Sequence, residues 1–110
     1  MHVLEVTEGE LLEELEAAAK EAGITDAAIV SLIGAADDFT ISSMPMNDAT
    51  RDQPLSYAMP AEMTGTGEIV GGKPHIHVVM AVHSNKALAG HLIRAEIRTR
   101  SVRVYLLTAP

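Results

Sequence analysis

His75 and His77 flank a single isoleucine in the stretch Gly71-Gly72-Lys73-Pro74-His75-Ile76-His77-Val78-Val79-Met80, at the mouth of a strongly apolar run. On an extended strand, residues two apart share a face, with α-carbons about 6.5–7 Å apart, so both imidazoles can converge on one ion. Val79, Ala81 and His83 continue that face, while Ile76, Val78, Met80 and Val82 point the other way. His91 follows fourteen residues after His77, behind Gly90, on a strand expected over 91–99 with Ile93, Ala95 and Ile97 on its own side. A His-x-His pair with a third histidine is the three-nitrogen set used by zinc, with a fourth position left for water, substrate or a partner's ligand. Imidazole alone does not discriminate zinc from nickel, copper or iron. The local pattern leaves the meeting of the three rings open. If the two strands form a hairpin joined by Ser84–Gly90, His91 falls near the far end of the 75–83 strand unless that connector crosses over.

Other chemistry is sparser. Glu62 and Glu68 share strand parity and are candidates for acid/base work, although six residues separate them. Arg94, Arg98 and Arg100 are candidates for an anion-binding stripe opposite Ile93 and Ile97. The serines lack a nucleophile-elbow context, and Gly65-Thr66-Gly67-Glu68-Ile69-Val70-Gly71-Gly72 lacks the lysine ending of a phosphate loop, so its glycines are expected in turns and bulges. There is no cysteine, which removes disulfides, thiolate metal sites and cysteine nucleophiles.

The 110 residues suit one domain, 1–110. Phe39, Tyr57 and Tyr105 are the only aromatics, so the core is aliphatic and stacking platforms for bases are few. A net charge of −7 argues against a general polyanion binder. That charge is unevenly spread. Residues 1–38 hold ten acids and one base, whereas residues 73–110 hold six bases and one acid. The opening Met1–Glu10 is acidic and leads into no apolar run, so no secretion leader is expected. The longest apolar segment, Ala27–Ala36, is far short of the roughly 20 residues that span a bilayer. A cytoplasmic location is the expectation.

These residues must be positioned by a fold legible in outline. Thr7 and Glu10 have capping-box spacing. Leu11, Leu12, Leu15, Ala18, Ala19 and Ala22 then recur at a helical period, with Glu13, Glu14, Glu16, Lys20 and Glu21 opposite, and Gly23 suits a left-handed stop. The pattern predicts one amphipathic helix over 8–22. Strands are expected at 2–6, within 24–36, at 38–43, within 56–70, and over 75–83, 91–99 and 102–107. Gly34 marks a bulge or close approach, and residues 44–55 are expected as the main loop. One helix with many strands on short turns implies an α+β domain with a largely antiparallel, curled sheet. A single helix covers only one face of such a sheet, which favours oligomerisation.

Along nearly its whole length the chain resembles the plants-and-prokaryotes-conserved domain family. Glu8–Ile41 is similar to the family's first helix and following glycine-bearing strand, Ala61–Ile69 to its middle strand, and Lys73–Val82 with Ala89-Gly90-His91-Leu92 to its Pro-His-x-His and Gly-Gly-His-Leu signatures. Ala89 departs from the usual glycine. The resemblance implies a homotrimer, and a divalent metal, zinc first, on His75, His77 and His91, as in some prokaryotic members. Plant members carry an Arg-Gly-Arg-Pro AT-hook for DNA, and these 110 residues contain no such segment. The first functional expectation is therefore a non-enzymatic binding or regulatory module with a histidine metal site. The alternatives are a metal-dependent enzyme of small molecules, assisted by Glu62 or Glu68, and a DNA-binding regulator using the arginines.

Overall fold

The computed structural model describes residues 1–108. Its elements in chain order are β1 (His2–Val6), β2 (Gly9–Glu10), α1 (Leu11–Glu21), β3 (Ala27–Ala36), β4 (Asp38–Ser43), β5 (Gln53–Tyr57), β6 (Ala61–Val70), β7 (Lys73–Val82), β8 (Lys86–Ile97) and β9 (Val102–Thr108). Among the described residues the strands form one antiparallel sheet in the order β1-β9-β3-β6-β7-β8-β4-β5, with β2 paired to β8.

The helix forms where its apolar stripe predicts, burying Leu11, Leu15 and Ala19 against the sheet, but it starts at Leu11. Thr7 is not its cap. Glu10 is, its carboxylate accepting from the amides of Leu12 (3.2 Å) and Glu13 (3.0 Å) and also from Ala95 of β8 (2.9 Å). One acidic side chain thus satisfies two first-turn donors and ties the helix start to the sheet. At the other end Gly23 is left-handed (φ 72°), and the amides of Gly23 and Ile24 reach back to the carbonyls of Lys20 and Ala19. That pattern is a Schellman stop.

The core is the aliphatic one the composition requires: Ile29, Leu32, Ile69, Ile76, Met80, Leu92, Val104 and Leu106 are buried, and Phe39 stacks on Tyr57 at 5.1 Å between centroids. The molecule measures 37 × 34 × 19 Å, and its short axis fits a sheet with one covering layer. Val30, Ile33 and Val79 are correspondingly exposed.

Three departures from the sequence reading matter for the site. First, residues 44–55 are not all loop, because Gln53–Tyr57 pairs with β4 as an edge strand, where Pro54 is tolerated. Second, β8 begins at Lys86, not near His91. The turn is only His83–Asn85, with Ser84 and Asn85 left-handed (φ 62° and 59°). Third, the β4–β8 register shifts between Thr40 and Ile41, leaving Ile93 as an unpaired bulge residue. Ala95 and Ile97 therefore enter the core and do not share a face with His91.

Candidate metal centre

The short turn at His83–Asn85 makes β7 and β8 a tight hairpin whose register places His91 directly opposite His77, and no crossover is needed. The strand period carries His75 to the same face. Ring centroids stand 5.1 Å apart for His75 and His77, 4.7 Å for His75 and His91, and 5.9 Å for His77 and His91. Each ring offers a nitrogen, and these atoms all lie within 4.8 Å of one another. Tetrahedral zinc with bonds of about 2.0–2.1 Å needs nitrogens about 3.3 Å apart, so small side-chain rotations bring the set to coordinating distance.

Two glycines permit this placement. Gly65 and Gly67 lie within β6, opposite Val78 and Ile76, and a Cβ on either would collide with the backbone carbonyl of His77 or His75. They are therefore close-approach positions inside a strand rather than the turns or bulges expected from sequence. Gly34 likewise lies against the backbone at Ser101 and Val102.

His91 is the most enclosed of the three histidines, and its Nδ1 is buried with no hydrogen-bond partner. Burial pushes its pKa below the usual 6.5, and the neighbouring His75 and His77 push in the same direction, against a smaller opposing effect of Asp52. A neutral ring has a lone pair to give, so the orphaned nitrogen and the all-imidazole donor set fit a borderline metal such as zinc. The cleft in front of the rings is about 880 Å³ and is lined by Ser31, Ser42, Thr64, Thr66, Val79 and the loop residues Arg51 and Asp52, among others. Sequence reading missed Arg51 and Asp52. They sit in an aperiodic loop, and only the pairing of β4 with β5 turns that loop toward the histidines.

The other candidates are not drawn together. Glu68 faces His75 across the β6–β7 ladder and lines a small depression with His75 and His77. Glu62 stands opposite Ala81, about 20 Å further along β6, in a different hollow with His83 and Arg100. The two carboxylates therefore form no pair. Nor do Arg94 and Arg98 stand as an open stripe with Arg100. Arg94 binds Asp38 (2.7 Å) and Glu96 (3.3 Å), and Arg98 reaches Asp38 (3.4 Å) and Glu96 (3.9 Å).

The model of the Plants and Prokaryotes Conserved (PCC) domain matches residues 1–110. The chain belongs to this family. Among solved structures it is similar to a metal-containing protein from Archaeoglobus fulgidus, at 26% identity and TM-score 0.79, over 98% of this chain and 79% of that one. A protein from Ralstonia eutropha, provisionally described as DNA-binding, shares 24% identity and TM-score 0.82 over 98% of this PCC domain and 77% of its own chain. A plant- and prokaryote-conserved protein from Pyrococcus horikoshii shares 21% identity and TM-score 0.79, over 98% and 79% of the two chains. No curated protein matches the chain. Among the described residues no helix is long and apolar enough to cross a membrane.

Proposed function

We propose that this PCC domain is a metal-dependent binding or regulatory module that works as a homotrimer, with His75, His77 and His91 holding one divalent ion, zinc in first place. The observation that carries the reading is the convergence of three imidazoles, each offering a nitrogen within 4.8 Å of the others, one of the rings carrying a buried nitrogen with no hydrogen-bond partner. The relative from Archaeoglobus fulgidus is described as metal-containing, which supports the same reading. For the trimer, support comes from the single covering layer over the sheet and from the apolar side chains Val30 and Ile33 on view. The test is elemental analysis of untagged protein purified under metal-replete conditions, with light scattering to weigh the assembly. We expect one ion per chain and a mass of three chains, with the ion lost in His75→Ala, His77→Ala and His91→Ala. A folded wild-type protein without metal would refute the site.

The cleft favours a second reading, metal-dependent catalysis on a small molecule, because its space opens onto the imidazoles and not away from them. A bound divalent ion would supply Lewis acidity there. Glu68, in the depression that shares His75 and His77 with the cleft, is better placed than Glu62 to assist. DNA binding, suggested by the description of the Ralstonia eutropha protein, fits less well. The net charge is −7, and Arg94 and Arg98 are already neutralised by carboxylates. Titration with duplex DNA at two salt concentrations tests it, since phosphate contacts would weaken steeply with salt.

A further inference from the structure

The cleft over the histidines is uneven in charge. Besides the histidines, its charged lining residues are Arg51 and Asp52. Glu68 belongs to the neighbouring depression. Neither Arg51 nor Asp52 takes part in an ion pair among the described residues; Arg94, Arg98, Arg103 and Lys73 are matched with carboxylates, and the other unpaired cations, Lys20, Lys86 and Arg100, do not line this cleft. The loop that carries them is turned on itself before Arg51 and anchored to β4 after Asp52. Asp48 Oδ1 accepts from the Thr50 amide (2.9 Å) and hydroxyl (2.5 Å), and the Gln53 amide donates to Ser42 Oγ (3.0 Å). Arg51 and Asp52 are thus held at the mouth of the cleft.

Three neutral imidazoles leave both positive charges of a divalent ion uncompensated, and the charges of Arg51 and Asp52 cancel. With Glu68 at its edge, a loaded cleft would carry a net positive charge of about one in an open hollow, where a singly charged anion is the natural counterpart. The rest of the lining narrows the choice. Val79 and Ala89 offer apolar wall for a carbon skeleton, and Ser31, Thr64 and Thr66 offer hydroxyls. A phosphate dianion would face Asp52 with one guanidinium to hold it. A carboxylate carries a single charge and suits the arginine fork.

Resting on the metal reading above, we infer that the cleft receives a small organic carboxylate. One carboxylate oxygen takes the fourth position at the ion, and Arg51 holds the anion. Asp52 sets an upper limit on the charge the site accepts.

The test uses the full chain loaded with cobalt(II), whose visible absorption reports its ligand set, titrated with acetate, lactate and succinate and, separately, with inorganic phosphate. A saturable spectral change with at least one carboxylate is expected. Arg51→Gln should bind it roughly tenfold to a hundredfold more weakly, the scale of a lost charge-assisted hydrogen bond, at unchanged cobalt content. Asp52→Asn should bind it more tightly. An unchanged spectrum in the cobalt-loaded protein, equal affinity in Arg51→Gln, or phosphate binding tighter than every carboxylate would each overturn the inference while leaving the metal site standing. Failure of the folded protein to take up cobalt would overturn the metal reading itself, and this inference with it.

Discussion

Strand β8 carries two polar clusters three residues apart, and they are built on opposite principles. His91 lies opposite Ser42 and Arg94 opposite Thr40, so both side chains occupy one face, with the bulge at Ile93 between them. Around Arg94 every charge is answered. Asp38 and Glu96 take the guanidiniums of Arg94 and Arg98, and Asp37 accepts from the Arg98 amide (2.7 Å), the Thr99 amide (3.0 Å) and the Thr99 hydroxyl (2.5 Å). The Thr99 bonds hold the Asp37 carboxyl below its usual pKa. Around His91 three bases meet with no acid among the donors, and one buried nitrogen is unanswered. A satisfied cluster locks the turn into β9, whereas the unsatisfied one offers three imidazoles that could hold a metal ion.

The sharpest way to break the contrast is to remove one member from each cluster. His91→Ala should lower metal affinity by at least about a hundredfold, because two imidazoles alone make a weak site, while changing the fold little. Chelator competition on the untagged protein measures it. Next in size, Gly67→Ala should cost about 1–3 kcal/mol in denaturant unfolding, since the new methyl meets the His75 carbonyl and must push β7 away. It should weaken metal binding as well, linking sheet spacing to the site.

Asp38→Asn is expected to do much less. Its partners are substantially exposed, so the loss should stay below about 1 kcal/mol, with metal affinity unaltered. The smallest effect is that of pH on the metal-free protein. His91 has a folded pKa below 6.5, so the unfolded chain binds more protons around that pH and stability rises with pH there. Its stabilising contribution is present above pH 6.5 and is lost as pH falls through the lowered folded value. The thermal midpoint should therefore decline on acidification from pH 7, and this decline should be reduced in His91→Gln.

The two clusters also differ in how far the sequence reveals them. His-x-His on an apolar strand, followed by a third histidine, is visible because strand alternation and ligand chemistry act over neighbouring residues. The helix stripe from Leu11 to Ala19 and the Gly23 stop are visible for the same reason. What escaped reading was set by pairing partners distant in sequence. Ala87, Ala89 and Gly90 look like a connector until β7 lies beside them, and Ser84-Asn85 lacks the glycine that usually announces so tight a hairpin. The bulge at Ile93 reverses the parity of β8 relative to His91, and Arg94 and Arg98 read as a free stripe because their partner Asp38 lies on a strand distant in sequence. Glu10 looks like the third residue of a capping box because nothing local shows that its carboxylate is held by Ala95 across the sheet. Gly65 and Gly67 read as turn or bulge residues, although their role is to let two backbones come close.

The number of imidazoles that meet at one ion decides the matter. X-ray absorption at the edge of the metal bound to untagged, zinc-loaded protein counts them directly. Three histidine nitrogens at about 2.0–2.1 Å with a light-atom fourth ligand are expected, falling to two in whatever metal His91→Ala still binds. A shell made only of oxygen, or one unchanged by that substitution, would contradict the three-histidine site.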